Sequence, residues 1–74
     1  MDITATTVRK HSVVIAGHRT SVTMEDAFWR GLREIAAADG MSLNQLVTRI
    51  DADRSGSLSS ALRVFVLERV RSKA

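Results

Sequence analysis

The chain contains no cysteine among its 74 residues, so neither disulfides nor thiolate metal sites stabilise it. Two histidines, His11 and His18, are too few for a structural zinc site without cysteine. No apolar run approaches the ~18 residues of a membrane span, and no stretch reads as a signal peptide. A cytoplasmic protein with no cofactor, no metal and no membrane association is the expectation. Lysine is scarce as well, two against nine arginines. Arg is the residue suited to bidentate binding of phosphates and base edges. The 11 basic and 8 acidic residues leave a net charge of only +3, which by itself separates a nucleic-acid binder weakly from any basic protein.

What remains is a folding sequence, 45% apolar and 26% charged. An 8.1 kDa monomer has room for one small domain. A lone core of this size supplies at most roughly 3–5 kcal/mol. Association with a second chain is therefore expected, and a deep catalytic pocket is not. The charge is uneven. Arg9, Lys10 and Arg19 outweigh Asp2 in the first third, and Arg63, Arg69, Arg71 and Lys73 outweigh Glu68 at the end, while the middle is acidic.

Residues 1–8 carry no usable period, and residues 1–11 read as a flexible basic segment. A domain over residues 12–72 follows, with a strand region at 12–24 and helices at about 25–39, 42–53 and 58–72. Alternation puts Thr20, Val22 and Met24 on one strand face and Arg19, Ser21 and Thr23 on the other. Gly17-His18 is either a type II′ hairpin turn, pairing Ile15 with Thr20 and Val13 with Val22, or a bend between two extended segments. Thr23 reads as a helix N-cap with Asp26 as its capping-box partner, ahead of Phe28, Leu32, Ile35 and Ala36 at helical spacing. Gly40 suits a left-handed helix end. Ser42 and Gln45 form a second capping box before Leu43, Leu46, Val47 and Ile50. Asp51 to Ser57 reads as a polar loop, and Ser57 or Ser59 caps the last helix. That helix is apolar on more than one side (Leu58, Leu62, Val64, Phe65, Val66, Leu67, Val70), which argues for burial against another chain. No internal repeat is evident.

The run Arg19-Thr20-Ser21-Val22-Thr23-Met24-Glu25, the Phe28/Leu32/Ile35/Ala36 stripe and the turn Gly40-Met41-Ser42-Leu43-Asn44 together resemble the ribbon-helix-helix family, the group of the Arc and Met repressors. The stretches Ile15–Ser21 and Leu58–Leu67 resemble a subfamily of small bacterial proteins within it. The implied fold is mainly α with a short β-ribbon and an additional C-terminal helix, as an intertwined homodimer or a higher oligomer. The strand of each chain would pair with that of the other and enter the major groove of double-stranded DNA. Arg19, Ser21 and Thr23 would then read bases, and Ser42, Leu43 and Asn44 at the second helix's N-terminus would meet a phosphate. Arg9, Lys10 and His18 would follow the DNA backbone. The implied function is a transcriptional repressor that occupies an inverted repeat. Classical members carry a hydrophobic residue where Thr20 stands, which predicts a looser ribbon core there.

The alternative is a protein-interaction module or antitoxin-like subunit, with a protein partner on the C-terminal helix. The few residues after that helix speak against a toxin-wrapping tail. No nucleophile–base–acid set is visible, so no enzyme is expected; both histidines read as surface groups, and Trp29 as dimer-core packing. Asp51 to Ser59 imitates the start of a calcium-binding loop. Leu62 stands where a bidentate Glu belongs and Arg54 intrudes, so the segment is read as a helix connection in which Arg54 pairs with Asp51 or Asp53.

Overall fold

A computed structural model describes residues 4–72. Two strands, β1 (Val8–Ile15) and β2 (His18–Glu25), precede three helices, α1 (Asp26–Ala38), α2 (Leu43–Asp53) and α3 (Leu58–Ser72). The strands form an antiparallel hairpin in which Ile15 lies opposite His18, Val13 opposite Thr20 and Ser12 opposite Ser21. The two turn residues are Ala16 and Gly17, with φ of 51° and 81°. Positive φ at both central positions defines the type I′ turn, whose twist matches that of the strands. The turn thus lies one residue earlier than a Gly17-His18 hairpin, and the register differs by two. A two-residue shift keeps each side chain on its face, so Val13, Val22 and Met24 still point to the helices and are buried. Thr20 shares that face but is exposed near the turn.

Two further expectations are corrected here. β1 begins at Val8, so residues 8–11 are strand and not a flexible lead; Met1 to Ile3 of that segment lie outside the described residues. Thr23 belongs to β2, and α1 starts after Glu25, which makes no side-chain capping bond. The reason is that the first helical N–H groups already have partners. Asp26 N–H donates to the Thr7 carbonyl (2.9 Å) and Ala27 N–H to the Ala5 carbonyl (3.1 Å), so the segment before β1 caps the helix through its backbone.

The other helix ends are set locally. Gly40, at φ 68°, follows α1 in the left-handed region. There Gly40 N–H reaches the Ala37 carbonyl (3.2 Å) and Met41 N–H the Ala36 carbonyl (2.9 Å), the double bond pattern of a Schellman end. Ser42 and Gln45 form the reciprocal capping box of α2. This helix continues through Asp53, so the polar connection is shorter than its composition implied and begins at Arg54. Ser57 Oγ accepts from Ser60 N–H (3.2 Å) to start α3. Replacing Ser42 by alanine removes one arm of the capping box and is expected to cost about 1 kcal/mol, read as a lower urea midpoint with an unchanged slope.

The core lies between the hairpin and the helices. Met24, Leu32, Val47 and Leu62 are fully buried at its centre, with Val13, Val22, Ile35, Ala36, Leu46 and Val66 around them. No polar residue among those described is buried as a whole. Helices α1 and α3 approach closely at Gly31, where an added Cβ would stand 3.0 Å from Val66 Cγ1. β2 is paired along one edge by β1 of its own chain, and no other strand among the described residues pairs with its second edge.

Candidate nucleic-acid interface

Because one face of the hairpin is committed to the core, strict alternation exposes the other. That outer face carries Val8, Lys10, Ser12 and Val14 on β1 and Arg19, Ser21, Thr23 and Glu25 on β2, all exposed except the half-buried Glu25. Lys10 lies opposite Thr23, Ser12 opposite Ser21 and Val14 opposite Arg19. The acidic residue of this face, Glu25 at the α1 end of β2, is paired with Arg63 of α3, whose Nε donates to Glu25 Oε1 at 2.9 Å. A backbone hydrogen bond and the Arg63 hydrogen bond hold the Glu25 carboxyl below the usual carboxylate range, so it stays ionised and occupied. Two cations and four hydroxyl or apolar groups therefore share a surface free of carboxylates between residues 10 and 23.

The basic residues expected to follow a DNA backbone are separated by the pleat. Lys10 joins the outer face. Arg9 and His18 belong to the opposite, helix-facing side, His18 exposed beside the turn. Arg9 is occupied there: its Nε donates to Asp26 Oδ2 at 3.0 Å. Sequence reasoning misses Ser12 and Val14 as members of this outer face. The signal that places them is the core phase of Val13 and Ile15, extended backwards along β1.

The N-terminus of α2 is docked on the edge of this ribbon. Asn44 Oδ1 accepts from the Val14 backbone N–H at 3.2 Å. Of the four N–H groups at the helix start, Ser42 N–H is taken by Gln45 Oε1 (2.8 Å) and Gln45 N–H by Ser42 Oγ (3.1 Å). Those of Leu43 and Asn44 have no partner among the described residues. The Leu43 side chain is half-buried and packs on the core.

His11 is not a surface group. Its ring stacks on Trp29 of α1 with centroids 3.9 Å apart and planes 10° from parallel, and its Nε2 is buried without a partner. Trp29 is thus engaged within its own chain. Burial pushes the His11 imidazole below its ordinary value; Asp26 opposes this and Arg9 adds to it. A histidine that binds its proton less readily when folded stabilises the fold above the unfolded pKa of about 6.5 and loses that contribution as the pH falls below it. The urea midpoint is expected to drop between about pH 7.5 and about pH 5, and the drop should shrink in His11→Phe, which keeps a stacking ring. Equal drops in both proteins would remove His11 as the cause.

Two further arginines are engaged within the chain, Arg54 and Arg69. Arg54 Nε bonds Asp51 Oδ1 at 2.7 Å and its Nη1 the Gly56 carbonyl at 2.6 Å, so the segment resembling a calcium loop is tied by its own arginine. No three His or acidic groups among the described residues converge to hold a metal ion. Arg69 pairs with Asp39. On α3, Leu62 and Val66 are buried, whereas Val64, Leu67 and Val70 are exposed. No helix among the described residues is long and apolar enough to cross a membrane.

Comparison with known proteins agrees with this layout. A family model described as a ribbon-helix-helix domain matches residues 8–70. Among solved structures, an uncharacterized protein from Bordetella pertussis Tohama I is similar, with 31% identity and a TM-score of 0.78. The match covers 99% of this chain and 65% of that one, so the chain spans just under two thirds of its structural relative. No curated protein matches.

Proposed function

The chain belongs to the ribbon-helix-helix family, and on that premise we propose that it is a sequence-specific DNA-binding regulator, a repressor that acts as a homodimer in the cytoplasm. The family fold is in general one of DNA-binding regulators and not of enzymes. The observation that carries the proposal is the outer face of the hairpin, where cations and hydroxyls stand together and the carboxylate of that face, Glu25, is already paired with Arg63. Arg19 donates two hydrogens to guanine O6 and N7, and Ser21 and Thr23 donate or accept at neighbouring bases. Leu43 and Asn44 N–H groups, at the positive end of α2, meet a phosphate flanking the groove, and Ser42 holds that helix end in shape. Arg9, already paired with Asp26, contributes little to backbone contact; Lys10 and His18 contribute more. The second copy covers the exposed Val64, Leu67 and Val70 of α3, and sedimentation should report twice the chain mass.

The exposed α3 stripe also favours a second reading, in which α3 holds a different protein and DNA is not bound. Selection of duplexes from a random pool at near-physiological salt separates the two. Enrichment of a short repeated motif is the expected result. Unenriched DNA that is released by added salt would mean backbone-only binding. Failure to recover any DNA would favour the interaction module.

A further inference from the structure

The two edges of the hairpin are not equivalent. A two-residue turn makes Ile15 and His18 a hydrogen-bonded pair. Alternation along the ladder then points the backbone groups of Lys10, Ser12 and Val14 away from β2, and those of Arg19, Ser21 and Thr23 away from β1. The outer edge of β1 meets α2, where Val14 N–H donates to Asn44 Oδ1 at 3.2 Å. The outer edge of β2 meets no strand among the described residues. An open edge of this kind is a template for another strand. In the dimer of the proposed function, β2 therefore pairs with β2 of the second copy, and the sheet runs β1, β2, β2, β1 across the two-fold axis.

That order puts β1 outside the reading ribbon. Neighbouring strands lie ~4.8 Å apart, so the axes of the two β1 strands stand about 14 Å apart. The major groove is about 12 Å wide. The central β2 pair enters it and the outer pair does not. We propose that each β1 rests on a phosphate wall of the groove, where Lys10 and Ser12 bind backbone phosphates and set the depth to which Arg19, Ser21 and Thr23 reach. This inference rests on the DNA-binding reading above and adds a second, sequence-independent strand to it.

The chemistry of the face divides in the same way. Lys10 on β1 and Arg19 on β2 are its cations, and neither has an acidic partner among the described residues. A lysine is a point charge that suits a phosphate, whereas the forked arginine suits a guanine edge, and it is the arginine that stands on the inner strand. Ser12 adds a hydroxyl donor of the kind that binds phosphate oxygens. Val8 and Glu25 close the face at its α1 end; Val8 is uncharged and Glu25 is held by Arg63, so no free carboxylate opposes the DNA there. β1 is also fixed in height. On its helix-facing side Arg9 pairs with Asp26 at 3.0 Å and His11 stacks on Trp29 with centroids 3.9 Å apart. Lys10 projects outward between these two anchors.

Two measurements test the inference. The chain has no cysteine, so Ser21→Cys and Ser12→Cys each carry one thiol per chain. A thiol reagent that spans about 5–10 Å, one to two strand spacings, should join Ser21→Cys chains in pairs and leave Ser12→Cys chains single. Any other pattern would overturn the strand order and the inference with it. With the motif obtained by duplex selection, affinity is then measured over a range of salt on that motif and its single-base variants. Lys10→Ala should weaken every sequence by the same factor and lower the salt slope by about two per dimer, one for each chain. Ser12→Ala should weaken all sequences equally and leave the slope unchanged. A preference lost at one base pair in Lys10→Ala would place β1 inside the groove, and unchanged affinity and slope would take it off the DNA. Either result overturns the inference and leaves the DNA reading intact. A wild type that enriches no motif would overturn the DNA reading itself, and this inference with it.

Discussion

Leu32→Ala is expected to leave the chain largely unfolded at 25 °C. Leu32 is fully buried, in one core with Met24, Val47 and Leu62. Its truncation removes transfer free energy and leaves a cavity, together about 2–5 kcal/mol. A domain of this length holds roughly 3–5 kcal/mol in its core, so the loss matches the whole reserve. Circular dichroism in urea should show a lost or strongly shifted transition, relieved in part at higher protein concentration if association stabilises the fold. A variant with the wild-type midpoint would mean that the core is not centred on α1.

Arg19→Ala is expected to weaken DNA binding by about 1–3 kcal/mol and to relax the preference at one base pair. The side chain stands on the outer face, opposite Val14, away from the carboxylates that engage Arg9 and Arg63. Its removal should therefore leave the thermal midpoint unchanged, which separates a reading role from a structural one. A uniform loss of affinity over all sequences would reassign Arg19 to phosphate contact. Unchanged affinity and specificity would remove it from the interface.

Local hydrogen bonds are legible in the sequence. Ser42 and Gln45 cap α2, and Gly40 ends α1, because every atom involved lies within five residues along the chain. The outer face of β2 is legible for a similar reason, since alternation over Arg19–Met24 allows only one apolar phase. Thr23 fails as a cap although its spacing to Asp26 is right. The carbonyls that serve α1 come from Thr7 and Ala5, some twenty residues upstream, and no local pattern announces them. Arg9 and His11 are misplaced by the sequence for the same reason. The partners that engage them, Asp26 and Trp29, lie on α1, and only the hairpin brings β1 there.

The sequence by itself determined the caps of α2 and α3, the phase of β2 and the chemistry that strand displays outward. Each depends on residue type and on hydrogen bonds that close within a turn of helix or a pleat of strand. Tertiary structure decided which strand pairs with β2, where α1 begins and which basic residues stay on the open face. Those outcomes turn on the register of the hairpin. A register is chosen by the twist of one two-residue turn and by the burial of a whole sheet face, quantities that no single stretch of the chain contains.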